Sequence, residues 1–187
     1  MKKVILSLLL LAAIGSLMSQ EIRYTEASEL NLIGKPFPDT PNPYHRVDTL
    51  IFKGFTATEN NQVRCPVGMA VLFKSNTKKI TISTDWGYVY NSVSTMPIAY
   101  KGYDLYFKNE SGKWQYAASS AGTLSQDKKS DKFTLIDNMD GTEHDFMLYL
   151  PMYSEIYSCK IGIDENASIE PLESNFRHRM ARRTPRV

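Results

Sequence analysis

From Val47 onward the chain is a succession of short segments in which apolar and polar side chains alternate, each closed by a turn signal. No other feature constrains the fold as tightly. Successive strand residues point to opposite faces, so a period of two marks strands with one buried face. The candidate strands are VDTLIFKGF (47–55), MAVLFKS (69–75), KITIST (79–84), TDWGYVYN (84–91), YDLYFKN (103–109), KWQYAA (113–118), KFTLID (132–137), EHDFMLYLP (143–151) and SEIYSCKIGID (154–164). In the segment 143–151, Phe146, Leu148 and Leu150 share one face while Met147 and Tyr149 share the other. Asn109 and Gly112 are residues expected to supply the positive φ that a hairpin joining 103–109 to 113–118 requires. No window beyond the N-terminal segment carries a helical stripe. Many short strands at this spacing predict an all-β, single-domain β-sandwich with jelly-roll-like winding.

The ends of the chain read differently from its body. Lys2 and Lys3 precede an apolar run from Val4 to Ala13 and then small residues, the layout of an export signal over residues 1–19 with cleavage after Ser19. The run is shorter than the ~20 residues of a spanning helix, so no membrane span is expected after cleavage, and the destination is the periplasm or the extracellular space. Residues 20–46 are dense in Pro, Asn and Asp and predict an extended arm with turns. The sandwich is expected over 47–175, and the arginine-rich residues 176–187 are expected to be a disordered tail.

Net charge is +2, from 22 basic and 20 acidic residues. Setting aside Lys2, Lys3 and the five arginines of the tail leaves 15 basic against 20 acidic residues in the body, a net of −5. Such a body lacks the basic excess that displaces counterions from phosphates, which excludes a nucleic-acid binder. Cys65 and Cys159 leave two readings open, a disulfide permitted by export or a pair of buried thiols.

Catalytic signals are sparse. The chain has no G-x-S-x-G elbow, and no His/Cys cluster points to a metal or other cofactor. His144 lies between Glu143 and Asp145, where a strand begins; as a base it would need a serine such as Ser119 or Ser120 beside it in space. Asp137, Asp140, Glu143 and Asp145 form an acidic cluster that lacks the spacing of a calcium loop. Trp86, Tyr88 and Tyr90 alternate along one segment. A common face would make them either part of the core or a platform on which sugar rings stack.

The segment GYDLY, Gly102, Tyr103, Asp104, Leu105 and Tyr106, resembles the G-x-D-L-Y signature of the domain that precedes the catalytic domain in bacterial SGNH/GDSL-type acylhydrolases. NPYHRVD, GMAVLFKSNTKKITI, STMPIAYKGYDLYFK and MDGTEHDFMLYLPMYSEI follow that domain's pattern in order, over about residues 25–175. The resemblance implies a small β-sandwich packed beside an SGNH catalytic domain, helping to shape a site for acylated carbohydrate. It also implies that the nucleophile belongs to that partner, because the family's catalytic serine, aspartate and histidine have no matching positions here. The expected function is therefore a non-catalytic accessory domain of an exported esterase, present without its catalytic domain. A free-standing secreted carbohydrate-binding module is the alternative, with Trp86, Tyr88 and Tyr90 or the SSAGTLSQ loop (119–126) making the contacts. The surface facing the catalytic domain is expected near Tyr149, Leu150, Pro151 and Tyr153.

Overall fold

A computed structural model describes residues 21–90, 93–123, 125 and 127–173. The segment expected to be an export signal, the arginine-rich residues 176–187, and Leu124 and Gln126 of the SSAGTLSQ loop lie outside the described residues. Among the described residues, ten strands form two sheets, with every pairing antiparallel. The strands are β1 (Ile22–Glu26), β2 (Asn31–Ile33), β3 (Ala70–Ser75), β4 (Ile80–Val89), β5 (Gly102–Lys108), β6 (Trp114–Ala121), β7 (Ser130–Ile136), β8 (His144–Tyr149), β9 (Ser154–Asp164) and β10 (Ile169–Pro171). One sheet has the order β1-β9-β4-β7. The other runs β10-β3-β8-β5-β6, with β2 sharing the β3 edge with β10. The chain changes sheet at every connection except β2–β3 and the β5–β6 hairpin, so the expected jelly-roll-like sandwich is present.

The core lies between the sheets. Met69, Val71, Phe73, Phe146, Leu148, Tyr103 and Leu105 of one sheet meet Ile80, Ile82, Trp86, Ile156, Cys159, Ile161 and Ile163 of the other. On β8 the alternation read from sequence holds, with Phe146, Leu148 and Leu150 inward and Tyr149 outward. Segments 79–84 and 84–91 join into the single strand β4.

The structure corrects the sequence reading in three places. Residues 20–46 are more than an arm, because β1 pairs with β9 and β2 with β3 inside the two sheets. Residues 47–55 form turns rather than a strand, and Leu50 and Ile51 are about 70% exposed. Two short helices also went unread. The first, α1 (Ala57–Val63), buries no residue. It is held by a capping box instead, with Thr56 Oγ1 accepting from the Glu59 amide while the Glu59 carboxylate accepts from the Thr56 amide at 2.7 Å. The second, α2 (Pro97–Lys101), leads directly into β5. Both cysteines are free and buried. Burial raises the Cys65 thiol to about 11 and the Cys159 thiol to about 12, which leaves neither reactive near neutral pH.

Candidate functional site

The segment 102–106 opens β5, paired with β6 throughout and with β8 from Asp104 onward. Gly102 begins the strand because α2 ends against it: a Cβ there would run into the carbonyl oxygen of Ile98. The pleat then divides the motif between two faces. Tyr103 and Leu105 are fully buried, and the Tyr103 and Thr84 hydroxyls lie 2.7 Å apart across the core. Asp104 and Tyr106 point outward from the six-stranded sheet, Asp104 exposed and Tyr106 half-buried.

Register builds the outward face around them. Asp104 lies between Ser119 and Tyr149, and Tyr106 between Tyr116 and Met147. The Ser119 hydroxyl donates to the Asp104 carboxylate, and the Tyr116 hydroxyl donates to Ser119 Oγ at 3.1 Å. The Tyr106 ring meets Tyr116 and Tyr149 edge-on, with centroids 5.9 and 5.7 Å away. Beside these rings a second apolar cluster of Ala70, Leu72, Met147 and Leu172 covers the same face, with Ile33, Tyr106 and Trp114 packed against it. Leu172 follows β10 and bonds through its amide to Leu72 O, while Asn31 Nδ2 donates to Leu172 O at 2.7 Å. The chain therefore leaves its last described strand on this face.

The two sheets are cross-linked just before the motif. Lys101 and Asp131 form an ion pair at 3.1 Å with side chains 0% and 1% exposed. Lys101 Nζ also donates to Ser125 O at 2.9 Å, and Trp86 Nε1 to Asp131 Oδ2 at 2.9 Å. Burial alone would raise the Asp131 carboxyl, but the hydrogen bonds from Thr123, Lys101 and Trp86 outweigh it and hold the group below its ordinary range. Sequence reading missed this pair; its only signal was a lysine amid the apolar side chains just ahead of the motif.

Trp86, Tyr88 and Tyr90 do not form one continuous row. Register shifts on either side of Trp86 break the alternation of β4. Trp86 lies in the core at 2% exposure, and Val89 rather than Tyr88 packs there next. Tyr88 lines an open cavity with Arg64, Gly87, Lys129, Glu155 and Tyr157, which Trp86 also borders, and Tyr90 packs on Tyr153 at 5.5 Å. Near the expected docking residues, Leu150 and Pro151 are buried while Tyr149 and Tyr153 are exposed.

His144 and Ser119 are not brought together by any hydrogen bond. His144 Nε2 lies 3.0 Å from both Asp140 Oδ1 and Thr142 Oγ1, whereas Ser119 belongs to the Asp104 chain. The acidic residues are taken up by basic side chains around them, Asp137 by Lys79, Asp140 by His144, and Glu143 and Asp145 both by Lys74, with Lys108 also on Asp145. The other histidine of the body finds a role that sequence gave no means to read. His45 Nε2 lies 2.8 Å from Glu155 Oε1, which also pairs with Arg64 Nε at 3.3 Å. The Tyr88 amide donates to Glu155 Oε2 at 2.9 Å.

Comparison with known proteins agrees with this architecture. The structure of a protein described as a GDSL-like lipase from Bacteroides ovatus is similar at a TM-score of 0.75 and 32% identity, over 82% of this chain. This chain covers 44% of that protein, less than half its length. No curated protein matches. A family model described as GxDLY, the N-terminus of SGNH-hydrolase-type esterases, matches residues 22–169 and so takes in both sheets and the motif strand. The chain belongs to the GxDLY family of N-terminal domains of SGNH-hydrolase-type esterases.

Proposed function

We propose that this domain is a non-catalytic accessory module of an exported SGNH/GDSL-type esterase. In this reading the outward face of the six-stranded sheet receives the catalytic domain and so helps shape the site for an acylated carbohydrate. One observation carries the reading: the motif's outward residues stand in a field of exposed and half-buried aromatic rings, on the face where the chain leaves β10. Tyr116 is 56% and Tyr149 38% exposed there. Contiguous apolar surface of this kind marks a contact with another domain. Asp104 contributes a carboxylate whose orientation Ser119 and Tyr116 fix, a polar anchor within an apolar surface.

The test joins this chain ahead of the catalytic part of the Bacteroides protein and follows hydrolysis of p-nitrophenyl acetate. Tyr106→Asp with Tyr149→Asp is expected to depress the rate of the fusion, while the chain alone stays at the level of a heat-killed control. An unchanged rate in the double variant defeats the docking face. Turnover by the chain alone, lost in Ser119→Ala, defeats the accessory role.

A further inference from the structure

The opposite side of the sandwich carries a cavity that the docking reading does not use. It opens on the outer face of the four-stranded sheet, has a volume of about 510 Å³, and is lined by Arg64, Gly87, Tyr88, Lys129, Glu155 and Tyr157, with Trp86 reaching it from the core. Sites for small ligands occupy roughly 300–1,000 Å³. Its floor is set by Gly87, where a Cβ would meet the Glu155 carboxylate and the Tyr157 ring. Because that Cβ is absent, the Tyr157 ring lies across the backbone of β4 and is still 59% exposed. Tyr88, half-buried, forms the adjoining wall.

The charges of this cavity do not cancel. Glu155 is buried and already occupied, Oε1 by His45 and Arg64 and Oε2 by the Tyr88 amide. Burial by itself would raise its carboxyl, but these partners hold it below its ordinary range, so it is ionised and matched from within the protein. Arg64 is fixed from two sides, Nε by Glu155 and Nη2 by Asn61 Oδ1 at 2.6 Å. Lys129 is exposed and forms no ion pair among the described residues. The cavity therefore presents an excess of positive charge beside an exposed aromatic ring.

From this geometry we infer that the cavity binds an acidic saccharide, with a sugar ring on Tyr157 and its carboxylate between Lys129 and Arg64. The apolar face of a pyranose suits a flat ring with one open side. A carboxylate suits a preset guanidinium joined by a mobile ammonium. The site is independent of the catalytic domain, since it lies on the other face of the sandwich.

Calorimetric titration of the purified chain tests this, with trigalacturonate as the probe and its fully methyl-esterified form as a neutral control of the same backbone. Saturable binding of the acid is expected, about tenfold weaker for the ester and about tenfold weaker in Lys129→Ala or Tyr157→Ala at unchanged melting temperature. Inorganic phosphate at the same concentration is expected not to displace the saccharide. The inference fails if the acid does not bind, if acid and ester bind alike, or if either variant binds like the parent. Displacement by phosphate also defeats it, because the sugar ring would then play no part.

Discussion

The two outer faces of this sandwich are made from the same kind of strand and, apart from the exposed Tyr157 beside Gly87, differ in what they show to water. On the six-stranded side, register lines up Tyr106, Tyr116 and Tyr149 beside Trp114, Met147 and Leu72. On the four-stranded side, the positions alternating with Ile80, Ile82, Phe133 and Leu135 are Thr81, Ser83, Asp85, Lys132 and Thr134. There Lys132 covers the Tyr24 ring at 4.6 Å, and Lys79 pairs with Asp137. A solvated face needs polar side chains at alternate positions, whereas a face meant for another domain keeps its aromatics. The contrast teaches that the five motif residues are divided by the pleat. Tyr103 and Leu105 build this domain, and Asp104 and Tyr106 face away from it.

What joins the unlike halves is the buried pair between Lys101, the last residue of α2 just ahead of β5, and Asp131 of β7. Breaking it is expected to have the largest effect. Asp131→Ala strands a buried ammonium and should cost ~3–5 kcal/mol in urea unfolding, with both sheets lost in one transition. A loss below ~1 kcal/mol would mean that the halves are held together by apolar packing alone.

A smaller effect is expected from acid. Glu155 has a folded-state carboxyl held below its ordinary value of 4.5 by His45, the Tyr88 amide and Arg64, against the opposing effect of burial. A depressed folded-state value contributes stability that is present above pH 4.5 and is lost as the pH falls through the folded value. Melting temperature should therefore fall on acidification below about pH 4.5, and Glu155→Gln should be less stable at neutral pH but show a shallower acid limb. Parallel acid limbs for the two proteins would remove Glu155 from the account of this face.

The smallest effects on folding are expected on the outer faces themselves. Lys132→Ala should leave stability within about 0.5 kcal/mol, and Tyr149→Asp should change it by no more than ~1 kcal/mol in the chain alone. The same Tyr149→Asp should lower self-association in a sedimentation series, since it places a charge in the apolar field, while Lys132→Ala should not. Equal behaviour of the two variants would erase the distinction between the faces.

Much of this molecule was legible in its residues. The alternation of Phe146, Leu148 and Leu150 placed β8 and its inward face, and the Asn109–Gly112 turn placed the β5–β6 hairpin. GYDLY with its ordered neighbours pointed to the family that the match over 22–169 establishes. The reading failed where the local pattern ran against the fold. VDTLIFKGF reads as a strand but pairs with no strand among the described residues, and its turns leave Leu50 and Ile51 exposed. Residues 22–33 look like an arm until β9 and β3 supply partners. Trp86, Tyr88 and Tyr90 alternate in sequence, yet with the bulges around Trp86 its ring is buried, Tyr88 stays half-buried and Tyr90 packs on Tyr153.

The sequence by itself determined the all-β class, most of the strands and the division of the motif into inward and outward residues, because those depend on a period of two along a single segment. Only the tertiary structure decided that Lys101 meets Asp131 across the two sheets and that Glu155 gathers His45 and Arg64. It alone laid Tyr157 over Gly87. Each of these joins residues far apart in the chain, and such meetings depend on which strands pair, in what register and with what bulges, none of which is written in a local pattern.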